Sequence, residues 1–264
     1  MVKVGDEPIV TFKPFFKKCD FKFNKGFVKM RIAILIYGLN RGISTSFPSI
    51  QDKILSVLTK NNIEYDIYVH TYKLQGTYSN VRNNEKGIHI DPNEMRTVVN
   101  PIEMVIDDQG EIDRLHDIKT FNKHGDPWCN GYVSLWNLIR ALYSLKCVWK
   151  LIQTKTYDGV IVVRPDVLFL NELNIHDLLD AIHNDEIYVP SFSENNGYND
   201  RFAFGSQKSI ATYCTRYDHM KEYATKQKLH SETFLKHVIK KVKKTSIRFN
   251  RIRANGIILK DCKK

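Results

Sequence analysis

Three short polar clusters in this chain each follow an apolar, β-favouring run, and each holds side chains suited to an anion or a polar ring. Gly38-Leu39-Asn40-Arg41-Gly42 comes after Ile32 to Tyr37; its glycines let the backbone approach a ligand, and Arg41 offers a fork of donors matched to phosphate. No Gly-Lys-Ser/Thr follows, so this is not a Walker A loop. His70-Thr71-Tyr72 closes a second run with a ring able to stack on a base or hydrogen-bond a ribose. Arg164-Pro165-Asp166 is the most informative of the three. A charged pair directly after Val160-Ile161-Val162-Val163 has to emerge at the end of a buried strand. Two further acids, Asp200 and Glu232, lie beyond it beside the polar text Ser193-Glu194-Asn195-Asn196-Gly197.

These residue types suit the transfer of a group from a diphosphate. The leaving diphosphate must be neutralised, by a divalent cation held on a carboxylate or by Lys and Arg directly. Asp166 serves the first route and Arg164 the second. An inverting transfer of a sugar also needs a carboxylate to accept the proton of the attacking hydroxyl, and Asp200 and Glu232 are the candidates. Glu232 is favoured because a helix start is rigid, although the helix dipole lowers its basicity. Each cluster also has a plain structural reading: an ordinary strand-to-helix turn at 38–42, a half-buried pair closing the sheet at His70 and Tyr72, a buried ion pair at Arg164 and Asp166, a helix cap at Glu232.

The elements that position these residues read as alternating strands and helices. Ile32-Ala33-Ile34-Leu35-Ile36-Tyr37, Tyr65 to His70 and Gly159 to Val163 read as strands buried on both faces, with helix spacing from about Ser49 to Asn61 and from Val133 to Ile152. Ile187 to Pro190 and the run into Phe202-Ala203-Phe204-Gly205 add further strands, and Ser231-Glu232 opens a last helix, Thr233 to Lys241. The pattern predicts one α/β, Rossmann-like domain over 31–264, its central sheet mostly parallel and its helices on both faces. The polar stretch 73–127 reads as an insertion with flexible parts, and residues 1–30 as a basic and aromatic extension packed on the domain or touching an anionic surface.

With 264 residues and 42% hydrophobic content the chain has a core, which excludes a disordered class. The net charge of +11 favours anionic partners without choosing among them. Five scattered cysteines with no CxxC pair fit a reducing compartment. The sequence shows neither a long apolar span nor an apolar signal core, so a cytoplasmic protein with at most peripheral membrane contact is expected.

The succession of Arg31 to Arg41, Tyr65 to Tyr72, Tyr157 to Asp166, Asn199 to Gly205 and Ser231-Glu232 resembles GT-A-type glycosyltransferases, such as those of bacterial surface-polysaccharide clusters and of large algal DNA viruses. The resemblance covers about residues 31 to 255. It implies a nucleotide-sugar donor, UDP-linked by expectation, and an oligosaccharide or glycoprotein acceptor. It also implies that Gly38, Arg41, Tyr72, Arg164 and Asp166 line the donor, with Asp166 in the last position of an Asp-x-Asp motif that binds Mn2+ or Mg2+. Arg164 stands where the first Asp of that motif would be. Two other classes fit parts of the text. A sulfotransferase would use Arg41 to Thr45 on a phosphosulfate donor but leaves Asp166 and Asp200 idle. A nucleic-acid-binding protein would use Lys240-Lys241-Val242-Lys243-Lys244, yet no zinc spacing or RNA-binding signature is present, so no nucleic acid is expected.

Overall fold

The computed structural model describes residues 29–260, so nearly all of the expected N-terminal extension lies outside the described residues. Among the described residues twelve strands occur in chain order: β1 (Arg31–Tyr37), β2 (Glu64–Lys73), β3 (Tyr78–Asn80), β4 (Glu85–Ile88), β5 (Glu103–Asp108), β6 (Gly159–Val163), β7 (Val167–Phe169), β8 (Ile187–Pro190), β9 (Phe202–Ser206), β10 (Lys243–Thr245), β11 (Phe249–Ile252) and β12 (Ile258–Leu259). Seven of them form the central sheet in the order β10-β8-β9-β6-β1-β2-β5. All its pairings are parallel except the two made by β9, which runs antiparallel between β8 and β6. This is the mixed α/β, Rossmann-like sheet that the alternation of elements predicts.

The side-chain period of two divides β1 between two cores. Ile32, Ile34 and Ile36 pack on one face with Phe47, Ile50 and Leu178, while Ala33, Leu35 and Tyr37 pack on the other with Leu145, Val148 and Trp149. Full burial of each large apolar side chain contributes about 1.5–3 kcal/mol, so this strand must be apolar on both sides. Helices Ile43–Ile50 and Ile175–His183 cover the first face, and helices Val133–Lys150 and Gln207–Thr215 the second.

The structure departs from the sequence reading in two places. The helix after β1 starts at Ile43, not near Ser49, and carries Pro48 inside it. Proline removes one backbone donor and crowds the preceding turn, and the helix continues through a π-helical turn at Gln51–Leu55. The stretch 73–127 is also more than an insertion, because β5 within it pairs in parallel with β2 and forms the sheet edge. An edge strand is partly exposed along most of its length, so its apolar signal is short.

Candidate functional site

The clusters singled out above converge at one end of the sheet. Gly38 follows the carboxyl end of β1, Tyr72 is near that of β2, and Arg164-Pro165-Asp166 leaves β6. Because β9 runs the other way, its beginning, preceded by Asp200 and Arg201, lies at this same end. Gly38, Arg41, Tyr72, Arg164, Asp166 and Asp200 all line one pocket. Glu232 does not, although its neighbour Ser231 does.

The turn after β1 is held by its backbone. Gly38 has φ 107°, a left-handed conformation that disfavours a side chain, and its N–H donates to Ser144 Oγ at 2.8 Å. Asn40 accepts from the N–H of Ile43, the first residue of the following helix, at 3.1 Å and donates to Glu94 Oε2 at 2.6 Å. Ser46 Oγ donates to the Pro165 carbonyl at 2.7 Å, tying this helix to the Arg164–Asp166 turn. Arg41 and Asp166 are thereby brought together.

Asp166 is 2% exposed and accepts a fork from Arg164, Nε to Oδ1 at 2.9 Å and Nη2 to Oδ2 at 2.6 Å. Arg41 Nη2 donates to the same Oδ2. Burial alone would raise this carboxyl's pKa, but Arg164 and then Arg41 outweigh it and hold the group well below the usual carboxylate range. Two more arginines arrive from the far end of the chain. Strand β11 pairs antiparallel with β7, setting Arg251 opposite Val167, and Ile252 N–H donates to the Asp166 carbonyl at 2.8 Å. Arg251 and Arg253 both line the pocket. Burial, followed by the charges of Arg251 and Arg41, pushes the Arg253 guanidinium down to about 10.

The pocket lining holds two more arginines, but Arg140 is paired with Asp113 and Arg201 with Glu232. The remaining four, Arg41, Arg164, Arg251 and Arg253, share the lining with Asp166 and Asp200, and the charge of the buried Glu85 acts on Arg253 from outside it. Such a pocket is built for an anion. A divalent cation is a poor fit, since Mg2+ needs a near-octahedral set of oxygens and the Asp166 carboxylate already takes guanidinium donors in positive surroundings. Asp166, the residue expected to hold a metal, is here the carboxylate that accepts from Arg164 and Arg41. Elsewhere among the described residues, ligand atoms of His70, Asp107 and Cys147 lie within 4.8 Å of one another. They are not among the residues lining the pocket, and both His70 ring nitrogens are engaged, by Ser144 at 2.8 Å and by Asp107 at 3.0 Å. His70 is fully buried in β2, next to the edge strand β5.

The two candidate bases separate clearly. Asp200 is 7% exposed and lines the pocket, with its backbone carbonyl fixed by the hydroxyls of Tyr37 at 3.2 Å and Tyr213 at 2.7 Å. No hydrogen bond or ion pair to a described residue engages its carboxylate. Glu232 is 2% exposed, and its carboxylate accepts from Asn195 Nδ2 at 3.0 Å, Arg201 Nη2 at 3.2 Å and Ser231 Oγ. It does not cap its helix, whose N-cap is His230. Its work is to anchor the 193–201 loop that carries Asp200. Gly197 belongs to the same anchor, because a Cβ there would sit 1.9 Å from the Glu232 carbonyl oxygen. Gly197→Ala is expected to cost about 1–3 kcal/mol or more of stability, read by urea denaturation; an unchanged midpoint would mean that the loop is free to move.

No known family profile matches the chain, and no curated protein does either. Among solved structures, it is similar to mouse xyloside xylosyltransferase 1 in its apo form, at 8% identity and a TM-score of 0.40, covering 78% of this chain and 80% of that one. The pocket carries the functional reading without that likeness.

Tyr72 also lines the pocket, but it is 1% exposed and its hydroxyl donates to the Arg140 carbonyl at 2.6 Å. Trp128 also lines the pocket, held by a loop whose Asp126 carboxylate accepts the backbone N–H groups of Trp128, Asn130 and Tyr132 at 2.8–2.9 Å. Its indole stacks on His230 with centroids 5.1 Å apart. Sequence reasoning missed Trp128, Arg251 and Arg253. The alternation Arg251-Ile252-Arg253 was the available signal, since residues two apart on a strand share a face. The lysine run is partly spoken for, with Lys243 paired to Glu186 at 3.6 Å and Lys244 to Glu194. No helix among the described residues is long and apolar enough to cross a membrane.

Proposed function

We propose that this protein is a glycosyltransferase that moves a sugar from a nucleoside diphosphate to a hydroxyl of a glycan acceptor, with inversion. The observation that carries the reading is the gathering of Arg41, Arg164, Arg251 and Arg253 in one pocket with Asp166 and Asp200, at the carboxyl ends of parallel strands. The arginines hold the donor diphosphate. Asp200 takes the proton of the acceptor hydroxyl as its oxygen bonds to the anomeric carbon. The bond from that carbon to the phosphate oxygen breaks, and the nucleoside diphosphate leaves with the electron pair. Charge developing on the leaving oxygen is met by donors already in place, which is where preorganised electrostatics contributes most. Tyr72 and the 73–127 segment suit the base side of the nucleotide, since Tyr78, Asn80 and Gln109 also line the pocket. Trp128, beside Ser231 and Arg201, offers a ring face to an acceptor sugar.

The test is a thermal-shift series with UDP, GDP and their sugar conjugates, followed by assay of donor hydrolysis and transfer. UDP is expected to raise the melting temperature by mass action, more than GDP does. Arg41→Ala should weaken nucleotide binding about 10- to 100-fold, the worth of one charge-assisted hydrogen bond. Absence of any shift with millimolar nucleoside diphosphates would sink the reading.

A further inference from the structure

We propose that His70, Asp107 and Cys147 form a zinc site outside the pocket, bracing the edge of the sheet against the helix Val133–Lys150. One ligand atom from each lies within 4.8 Å of the others. The three come from separate elements: His70 from β2, Asp107 from β5 and Cys147 from the helix. Around a tetrahedral Zn2+ such atoms stand about 3.3–3.8 Å apart, so the widest gap has to close by about 1 Å. Asp107 and Cys147 are both partly exposed, which leaves their side chains room to do so and gives the ion a way in. Water from that side fills the fourth position. Tyr143, one turn before Cys147 on the same face of the helix, acts on both Cys147 and Asp107 and completes the polar surroundings.

His70 is prepared for this by Ser144. The serine Oγ accepts from Gly38 N–H at 2.8 Å, meets His70 Nδ1 at 2.8 Å and donates to the His70 carbonyl at 3.1 Å. With its hydrogen given to that carbonyl, Oγ accepts from Nδ1–H, and this tautomer turns the lone pair of Nε2 toward Asp107 Oδ2, 3.0 Å away. Two acceptors that face each other around a fully buried imidazole need a cation between them. A proton serves there in the apo protein, and a metal ion can take its place. The thiol alongside selects Zn2+ over Mg2+ or Mn2+, because thiolate and imidazole are the softer ligands. The charges balance: carboxylate and thiolate offset the ion, the imidazole stays neutral, and the displaced thiol proton leaves to solvent. Lys146 and Lys150 act on Cys147 from nearby. They favour its thiolate and oppose the ion, and the two anionic ligands have to outweigh them. None of the three ligands lines the pocket, so the ion braces the fold whatever the pocket binds.

The experiment strips the full chain with EDTA, dialyses the chelator away, and titrates Zn2+ by calorimetry and Co2+, its spectroscopic stand-in, by ultraviolet and visible absorption. About one equivalent of Zn2+ is expected to bind and to raise the melting temperature by mass action. Co2+ is expected to give a thiolate-to-metal charge-transfer band together with the intense d–d bands of a tetrahedral site. Cys147→Ser should abolish the charge-transfer band and weaken Zn2+ binding at least about tenfold, Asp107→Asn should weaken it by a similar factor, and Cys129→Ser, at an exposed cysteine outside the cluster, should change neither. Should Cys147→Ser fail to fold, the wild-type cobalt spectrum and Asp107→Asn still decide. A wild type that binds no Zn2+, a cobalt complex without a thiolate band, or binding undiminished in Cys147→Ser would overturn the site and leave the three residues as a polar contact between strand and helix.

Discussion

Asp166→Asn is expected to destabilise the protein by about 3–5 kcal/mol and to abolish transfer, and added UDP is expected to return part of the lost stability. Asparagine keeps the shape of the side chain and removes its charge, which leaves Arg41 and Arg164 without their shared anion in a buried site. Removing one partner of such a group costs about that much, because the remaining charges stay desolvated and unpaired. A diphosphate supplies the missing negative charge, so the variant should gain more from saturating UDP than the wild type does. A carboxylate whose role was to ligate a cation predicts the reverse, since its removal relieves repulsion among acids and leaves the apo protein as stable as before.

The acid limb of the stability curve gives an independent check on the same residue. The folded Asp166 carboxyl is held below its ordinary value by Arg164 and Arg41. Its contribution is therefore complete above the unfolded pKa of about 4 and is lost as pH falls toward the folded value. Chemical denaturation between pH 7 and pH 3 should show the wild type losing its advantage over Asp166→Asn only below about pH 4. An advantage that stays constant down to pH 3 would mean that folding does not depress this carboxyl's pKa, whereas one that vanishes above pH 5 would place the effect on another group.

What the sequence made legible follows from how local each signal is. Val160 to Val163 is apolar enough that Arg164 and Asp166 must surface at the strand's end, and Gly38 and Arg41 follow β1 for the same reason. Both clusters lie within a few residues of the strand that places them. The other half of the anion site comes from β11, paired with β7 across roughly eighty residues of sequence, and no local pattern announces that pairing. Edge strand β5 was hidden for a different reason: half-exposed residues need not be apolar. The two acids Asp200 and Glu232 look alike as text. Their roles divide only when Arg201, Asn195 and Ser231 close around one of them and leave the other facing the pocket.

That division is the basis of the last expectation, which concerns the proton acceptor. Asp200→Asn should lower kcat by about 10²–10⁴-fold with UDP affinity and melting temperature nearly unchanged, because a general base acts in the transition state and no hydrogen bond or ion pair ties this carboxylate to a described residue. Glu232→Gln should do the opposite. It removes the partner of Arg201, whose other terminal nitrogen Nη1 is already buried without a hydrogen bond, so a second unpaired charge site opens in the anchor of the 193–201 loop. Stability should fall by about 3–5 kcal/mol, and the loss of activity should be smaller and recoverable at lower temperature. Measuring kcat, UDP affinity and melting temperature on both variants separates the two roles, since a base moves the first quantity and an anchor moves the third. A large kcat defect confined to Glu232→Gln, with its melting temperature intact, would transfer the base to Glu232. If neither amide lowers kcat by more than about tenfold, transfer proceeds without a protein base, and a retaining mechanism on the arginine-bound diphosphate becomes the better account.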